Sequence, residues 1–562
     1  MRTLLSPDRL WLAFFGVLST AWCLQAAREV GVTFDEPFYL KSGLHFWHTG
    51  SYHPLMRAGT MPLPVDLQTL PLRLMEAERG YPIDLDTEMA DVLPIARGAN
   101  LVFWWLLLWG GLRLGRWGGG AWGGRLAVAL LACEPNLLAH ASLATTDIAI
   151  AATMLHLIYL YVTRRGDRFA SRVVVPGLMY GVALSAKASA LVFGPLCIAG
   201  MELCLLWQSG AFRGRPTGTS RAKWLQRVTS PGRWDLFWIV WIGMGFVFLF
   251  CGTDWKPQGS FVKWADALPA GILHDWMSGF ARNLSVFPNA GEAFAYQIKH
   301  NIRGHGSYLI GEWHPRALWY YFPVALLMKL SVPMLVLLGL AVLRPRRLLT
   351  PLGAATLMML AFSLNCRVQI GIRLVLPLVA MLVILAAIST GPLVAAIRET
   401  SRRRLVPVAL VLATIAPLAM VWPHGIGYIN RLWGGPDEAC HLLTDSNCDW
   451  GQGLPDLARW QQSHADAPMR VWYFGTDPAI HRPPFEHVKL HDLNLVVPED
   501  MRARVQGGWL AVARTLRYGN PDFTPSANVA LDVLRELKPA AGTETFLIYD
   551  LRTWPTNLHA TR

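Results

Sequence analysis

Eleven apolar stretches alternate with clusters of arginine and lysine along this chain, and the alternation leaves few folds open. The stretches are 9–27, 95–112, 126–141, 146–163, 173–186, 189–207, 235–252, 317–342, 349–365, 373–390 and 405–423. Runs of this kind predict membrane helices, with short or broken pieces near 141–147 and 186–189. Hydrophobic residues make up 53% and charged residues 16%, where soluble domains carry roughly a quarter charged, so a water-soluble core is excluded. The net charge is +13, but the basic residues sit between apolar runs, which argues for membrane orientation and against nucleic-acid binding.

The basic clusters are Arg113–Arg125, Arg164–Arg172, Arg213–Arg233, Arg344–Arg347 and Arg398–Arg404. Placing all five on the cytoplasmic face predicts eleven spans with the N-terminus inside. Residues 28–94, 253–316 and 424–562 then lie outside. The first stretch reads as an uncleaved anchor, because cleavage near Ala27 would leave Asp35 and Glu36 almost at the new terminus. Residues 1–423 are expected to form an all-α transmembrane domain and 424–562 a small extracytoplasmic α/β domain. In that tail Met469–Gly475, Gly508–Ala513 and Thr545–Tyr549 read as strands, and Leu454–Gln462 and Ala530–Leu537 as helices. In the first loop, Leu40, Leu44 and Trp47 have the spacing of a helix lying on the membrane surface, and Pro62, Pro64 and Pro71 are expected to break regular structure. Cys440 and Cys448 are placed for a disulfide, but their spacing alone does not decide it.

Asp35 and Glu36 follow the first stretch, and Asp147 follows another, all on one predicted face. Acids at such positions are expensive against lipid and are expected to line a watery cavity. There a carboxylate can take a proton from an acceptor hydroxyl, and two adjacent carboxylates repel so that one pKa rises. Solvated loop acids, and simple helix capping by Asp147, are the bland alternatives. Lys187 and Arg373 sit at exterior helix junctions, where a phosphate would be a fitting counter-ion. Arg367 is as well read as a solvated loop residue and His424 as structural. His305, Tyr308 and Glu312 lie in a run rich in glycine and aromatics that suits sugar binding or an ordered loop. Thr444–Gln452 reads as Asx turns tying the tail to the membrane domain.

Taken together, Thr33-Phe-Asp-Glu-Pro37, Leu143-Ala-Thr-Thr-Asp147, Ser185-Ala-Lys187, Tyr308-Leu-Ile-Gly-Glu312, Ile370-Gly-Ile-Arg373 with Pro377, and Asp445–Gln452 resemble a known group. It is the polyprenyl-phosphate-dependent glycosyltransferases of the GT-C superfamily, in the branch of protein O-mannosyltransferases and aminoarabinose-transferase-like enzymes. The resemblance implies an exterior active site and a sugar donor on a polyprenyl monophosphate. It implies an acceptor that is a protein Ser/Thr, a glycan or a lipid, and single-displacement, inverting chemistry. Asp35 would be the base with Glu36 beside it, Asp147 a second acidic site, and Lys187 and Arg373 the donor-phosphate ligands. Relatives differ in using a divalent cation, so a metal is left open. No Ser-Trp-rich extra domain of the eukaryotic mannosyltransferase kind is present, which points to a bacterial inner-membrane protein. A transporter or flippase for a lipid-linked saccharide is the rival reading; it would favour midplane charges and an internal repeat, and neither is visible.

Overall fold

The computed structural model describes residues 6–209, 234–398, 406–519 and 524–554. The cluster Arg213–Arg233 and residues 399–404 of the last basic cluster lie outside them. The first helices are α1 (Pro7–Glu29), α2 (Glu36–Thr49), α3 (His53–Arg57), α4 (Pro62–Arg79), α5 (Leu85–Ala132), α6 (Pro135–Ala141), α7 (Asp147–Thr163), α8 (Val175–Ala186) and α9 (Ala190–Gln208). Asp235–Cys251, Tyr321–Lys329, Val332–Val342, Pro351–Ser363, Leu376–Arg398 and Val406–Ala419 continue the apolar bundle.

Among the described residues, four helical segments are individually long and apolar enough to cross a membrane: α1, α5, α9 and Ile372–Ile397. Tyr321–Lys329 and Val332–Val342, bent by 119°, make a fifth if they are one span. The break inside the expected 317–342 run has a local cause. Pro333 has no N–H, and in a continuous helix its ring would meet the carbonyl of Lys329. That carbonyl instead accepts from Asn136 Nδ2 at 2.7 Å, and Ser331 caps the new helix.

The expected runs 95–112 and 126–141 meet in α5, which is not straight. At Gly120 the backbone takes φ 69° and ψ −165°, and the chain folds back. Gly111 then packs on Leu131 and Gly115 on Gly123, where a Cβ on Gly115 would lie 2.6 Å from the Gly123 carbonyl oxygen. In a straight helix residues 111 and 131 would be about 30 Å apart. The basic residues Arg113–Arg125 thus occupy a hairpin turn. Asp8, at the start of α1, pairs with Arg116 and, at 2.8 Å, with Arg125. At its far end α1 leads into Asp35 and Glu36, so the acids and this basic turn occupy opposite ends of the bundle.

Two first-loop expectations need correction. Leu40 and Leu44 do lie on a helix, α2, but they are buried against Leu72, Leu93 and Ala96 of α4 and α5, so that stripe serves protein packing and not lipid. The prolines do not break the chain. Pro62 and Pro64 fall in the first turn of α4, where a missing N–H costs nothing, and Pro71 is accommodated inside it.

The tail forms a five-stranded sheet, β4-β3-β5-β7-β6, of β3 (Met469–Trp472), β4 (Phe485–His487), β5 (Trp509–Ala513), β6 (Ala541–Gly542) and β7 (Phe546–Asp550). A smaller hairpin of β1 (Ser307–Leu309) and β2 (Glu312–His314) precedes it. β3 is parallel to β4 and β5, while β7 is antiparallel to β5 and β6. Met469, Val471, Leu510, Val512 and Ile548 fill its core. The three expected strands and both expected helices are present, within a few residues.

Candidate active site

Asp35 precedes α2, and Pro37 helps to start that helix. The Asp35 side chain makes no cap bond. It turns to Arg373, whose guanidinium donates to Oδ2 at 2.7 Å, while the Tyr39 hydroxyl donates to the same oxygen at 3.3 Å. Glu36 points elsewhere and is fully buried. Its two oxygens accept from Arg97 at 2.6 and 2.7 Å, from the Thr33 N–H at 2.9 Å and from the Ala144 N–H at 2.8 Å. Burial pushes the Glu36 carboxyl up, but the Arg97 guanidinium and the two backbone N–H groups outweigh it and hold the pKa below the usual carboxylate range. The expected mutual repulsion of the pair is therefore not what governs Glu36. Its four donors make it a clamp that joins the first loop, α5 and the segment before α7.

Asp147 is the first residue of α7 and does not cap it through its side chain. Oδ1 is paired with Lys187 Nζ. Oδ2 faces His140 Nδ1 at 4.0 Å. Lys187 occupies the extended residue between α8 and α9, and the break in helix lets its side chain reach across to α7. Arg373 sits in the short turn Ile372–Val375 that opens Leu376–Arg398. It lies near enough to interact with both Asp35 and Asp147, so the two acid–base pairs form one electrostatic group.

The tail motif holds that group from outside. Arg373 lies 4.1 Å above the buried Trp450 ring, and its Nε donates to Ser446 Oγ at 3.1 Å. Ser446 Oγ donates in turn to the Ile370 carbonyl. Gly371 is required beside it, because φ is 147° and a Cβ would lie 2.1 Å from Ser446 Oγ. Asn447 Oδ1 accepts from the Ile372 N–H at 3.2 Å. The Gly31 N–H donates to the Gln452 carbonyl at 3.0 Å and the Phe34 N–H to the Trp450 carbonyl at 2.9 Å. The motif thus bridges the Asp35 loop and the Arg373 turn, a larger role than tying down the tail. A disulfide joins Cys448, inside the motif, to Cys440 before it, with a Cα–Cα separation of 5.6 Å.

The third expected group is dispersed. The Tyr308 hydroxyl, on β1, donates to the His441 carbonyl at 3.2 Å. Glu312, at the start of β2, is exposed. The His305 ring lies 2.5 Å from that of His300, whose pKa is depressed by burial first and then by the charges of His305, Arg303 and Arg373. His424 is hydrogen-bonded to Glu544 at 2.8 Å, beside Asp456. Arg97 and Tyr39 were not singled out from the sequence, and Ser446 and Trp450 only as members of the Asp445–Gln452 run. A signal existed for Arg97, a charge near the start of the apolar run 95–112. For the others only the three-dimensional arrangement tells.

No family model and no curated protein matches the chain. Among solved structures it is similar to ArnT from Cupriavidus metallidurans in the apo state, with 12% identity, TM-score 0.47, and coverage of 97% of this chain and 98% of that one. The same protein bound to undecaprenyl phosphate aligns with 11% identity, TM-score 0.46, and 96% and 97% coverage. Archaeal oligosaccharyltransferase AglB from Archaeoglobus fulgidus, in complex with an inhibitory peptide and a dolichol-phosphate, aligns with 11% identity, TM-score 0.45, and 98% and 75% coverage. Each of these alignments spans almost the whole of this chain.

Proposed function

We propose that this protein is an inverting glycosyltransferase that moves a sugar from a polyprenyl-phosphate donor to an extracytoplasmic acceptor. The observation that carries this reading is the pairing of Asp35 with Arg373 and of Asp147 with Lys187, at the end of the bundle away from the basic turn Arg113–Arg125. Two cations at one buried site are suited to a phosphate, and the acids they now neutralise are suited to act once a phosphate takes their place. Arg373 and Lys187 bind the donor phosphate oxygens. Asp35, released from Arg373, accepts the proton of the acceptor hydroxyl. That oxygen attacks the anomeric carbon from the face opposite the phosphate, the carbon–oxygen bond to phosphate breaks, and polyprenyl phosphate leaves with its charge held by Arg373 and Lys187. Glu36 positions the loop through Arg97.

With the basic clusters on the cytoplasmic side, the acids face outward, and eleven spans, a boundary near residue 424 and a bacterial inner membrane complete the proposed topology. His305, Tyr308 and Glu312 remain candidates for contacts to the sugar or acceptor. No step is routed through a metal: Asp147 Oδ1 is held by the Lys187 ammonium, and Oδ2 faces His140 Nδ1 at 4.0 Å.

The test is sugar transfer by the purified protein from a series of synthetic short-chain polyprenyl-phosphate sugars, alongside mass spectrometry of exterior glycans, lipids and glycoproteins in a deletion strain. Loss of one sugar from one class of acceptor in the deletion, with transfer of that sugar in vitro, is the expected result. Unchanged exterior sugars together with no transfer from any donor would overturn the proposal.

A further inference from the structure

The segment that follows Asp235–Cys251 exposes large apolar side chains beyond what the chemistry above uses. It contains three helices, Gly259–Asp266, Ile272–Asn283 and Asn289–Arg303. On the middle one Ile272 is 81% exposed, Leu273 66%, Trp276 75% and Phe280 52%. At 100° per residue these four fall within an arc of about 100°. Ser278 and Ala281, on another face, are buried, while Asp275 and Arg282 occupy a third. A helix with one face in protein, one apolar and bare, and one charged has the pattern of a helix lying along a membrane interface. The next helix repeats it with Ile298 and Ile302 exposed one turn apart.

The position of this segment says what covers it. It begins where an apolar helix ends, and that helix already presents Trp241 and Leu249 outward. Asn289 Nδ2 donates to the Cys251 carbonyl at 3.1 Å, and Gln258 Nε2 donates to Asn289 Oδ1 at 3.1 Å. These bonds fix the segment to the last turn of the apolar helix, so its bare face continues that helix's own outward surface. Phe261 stacks on Trp264 at 5.7 Å and meets Phe280 edge-on at 6.0 Å, which extends the aromatic patch onto the first helix. Tryptophan is favoured at the depth where hydrocarbon gives way to headgroups. Residues 254–303 carry five Lys or Arg against four Asp or Glu, a net of +1, so charge does not drive the contact.

We infer that residues 259–303 form an interfacial platform whose Ile272–Trp276–Phe280 face is seated in the outer headgroup layer of the bilayer. Gln297 Nε2 donates to the Gly59 carbonyl at 3.0 Å, so the platform is joined to the loop that carries Asp35 and sets the level of Asp35 and Glu36 against the lipid surface. This inference does not depend on the chemistry proposed above.

The full-length protein is reconstituted into phosphatidylcholine vesicles as the single variants Trp276→Cys, Phe280→Cys and Asp275→Cys, each carrying an environment-sensitive fluorophore, with the unsubstituted protein as the labelling background. Lipids bearing a quencher high on the acyl chain should quench positions 276 and 280 several-fold more than position 275. Aqueous iodide should show the reverse order, and 0.5 M salt should change neither. Equal iodide quenching at all three positions, without lipid quenching, would place the face in water and overturn the inference. Protection of 276 and 280 from both quenchers would mean a protein cover, a second copy or another part of the chain, and would overturn it equally.

Discussion

Arg373 donates to Asp35 at 2.7 Å across 338 residues of sequence, and the same guanidinium lies 4.1 Å over the Trp450 ring of the tail. The proposed base and the proposed phosphate ligand therefore neutralise each other in this structure. In the proposed mechanism a phosphate draws Arg373 away and exposes the carboxylate, which would make donor binding and activation of the acceptor one event.

Removing the cation should weaken donor use while the protein still folds, with a lower unfolding midpoint in Lys187→Ala because Asp147 is buried. Arg373→Ala and Lys187→Ala are expected to raise the donor KM or lower kcat by the value of a charge-assisted hydrogen bond, about 1.5–3 kcal/mol, or roughly ten- to 150-fold. Arg373→Lys keeps the charge but loses the planar fork and the contact with Trp450, so it should fall between Ala and wild type. Steady-state kinetics with varied donor separates these outcomes, and wild-type constants in both alanine variants would remove the two residues from the site.

Glu36→Gln should act first on stability. Arg97 and Glu36 are both fully buried, and neutralising one leaves the other's charge uncompensated, at a cost of about 3–5 kcal/mol. Thermal unfolding in detergent should show a large fall in midpoint. The folded fraction should retain turnover far better than a variant lacking the base. A normal midpoint with no activity would instead place Glu36 in the chemistry.

Much of this arrangement was legible in the sequence, for reasons that differ from residue to residue. Asp35, Asp147, Lys187 and Arg373 stood out because a charge beside an apolar run is costly and needs a purpose. Their pairing was not legible, since Asp35 and Arg373 meet only through the packing of elements distant in sequence. Glu36 was misjudged for the same reason: adjacency suggested repulsion, whereas the start of α2 sends the two side chains to different partners. The strands of the tail were readable from short β-branched and aromatic runs, because each is nearly continuous in apolar residues. The prolines of α4 misled because proline is as much a first-turn residue as a breaker.

Gly371→Ala tests how the tail holds Arg373. The residue sits at φ 147°, and its new Cβ would fall 2.1 Å from Ser446 Oγ. The turn should shift and kcat should drop, with little effect on expression. Ser446→Ala alone removes one hydrogen bond to Arg373 and should cost about 1.5–3 kcal/mol of donor interaction or less. The double variant should recover part of the Gly371→Ala loss, because the clash partner is gone while the backbone strain remains.

The junction between the bundle and the tail should loosen as pH rises. The hydrogen bond to Glu544, together with the charges of Glu544 and Asp456, raises the His424 pKa against partial burial. A raised histidine pKa stabilises the fold fully below the unfolded value of about 6.5, and the contribution is lost as pH climbs through the folded value. Glu544, pushed up by burial, acts in the same direction. Unfolding midpoints measured from pH 5.5 to 9 should therefore decline on the alkaline side, and His424→Gln should flatten that part of the curve. An unchanged slope in the variant would assign the pH dependence elsewhere.

The central claim is that Asp35 is the base, and Asp35→Asn addresses it with the least change in shape. The variant keeps the size and most of the hydrogen bonding of the side chain but cannot take a proton. Sugar transfer from a synthetic polyprenyl-phosphate donor by the purified, folded variant should fall by ~100- to 10,000-fold, with the unfolding midpoint close to wild type. Full activity in Asp35→Asn would contradict the account.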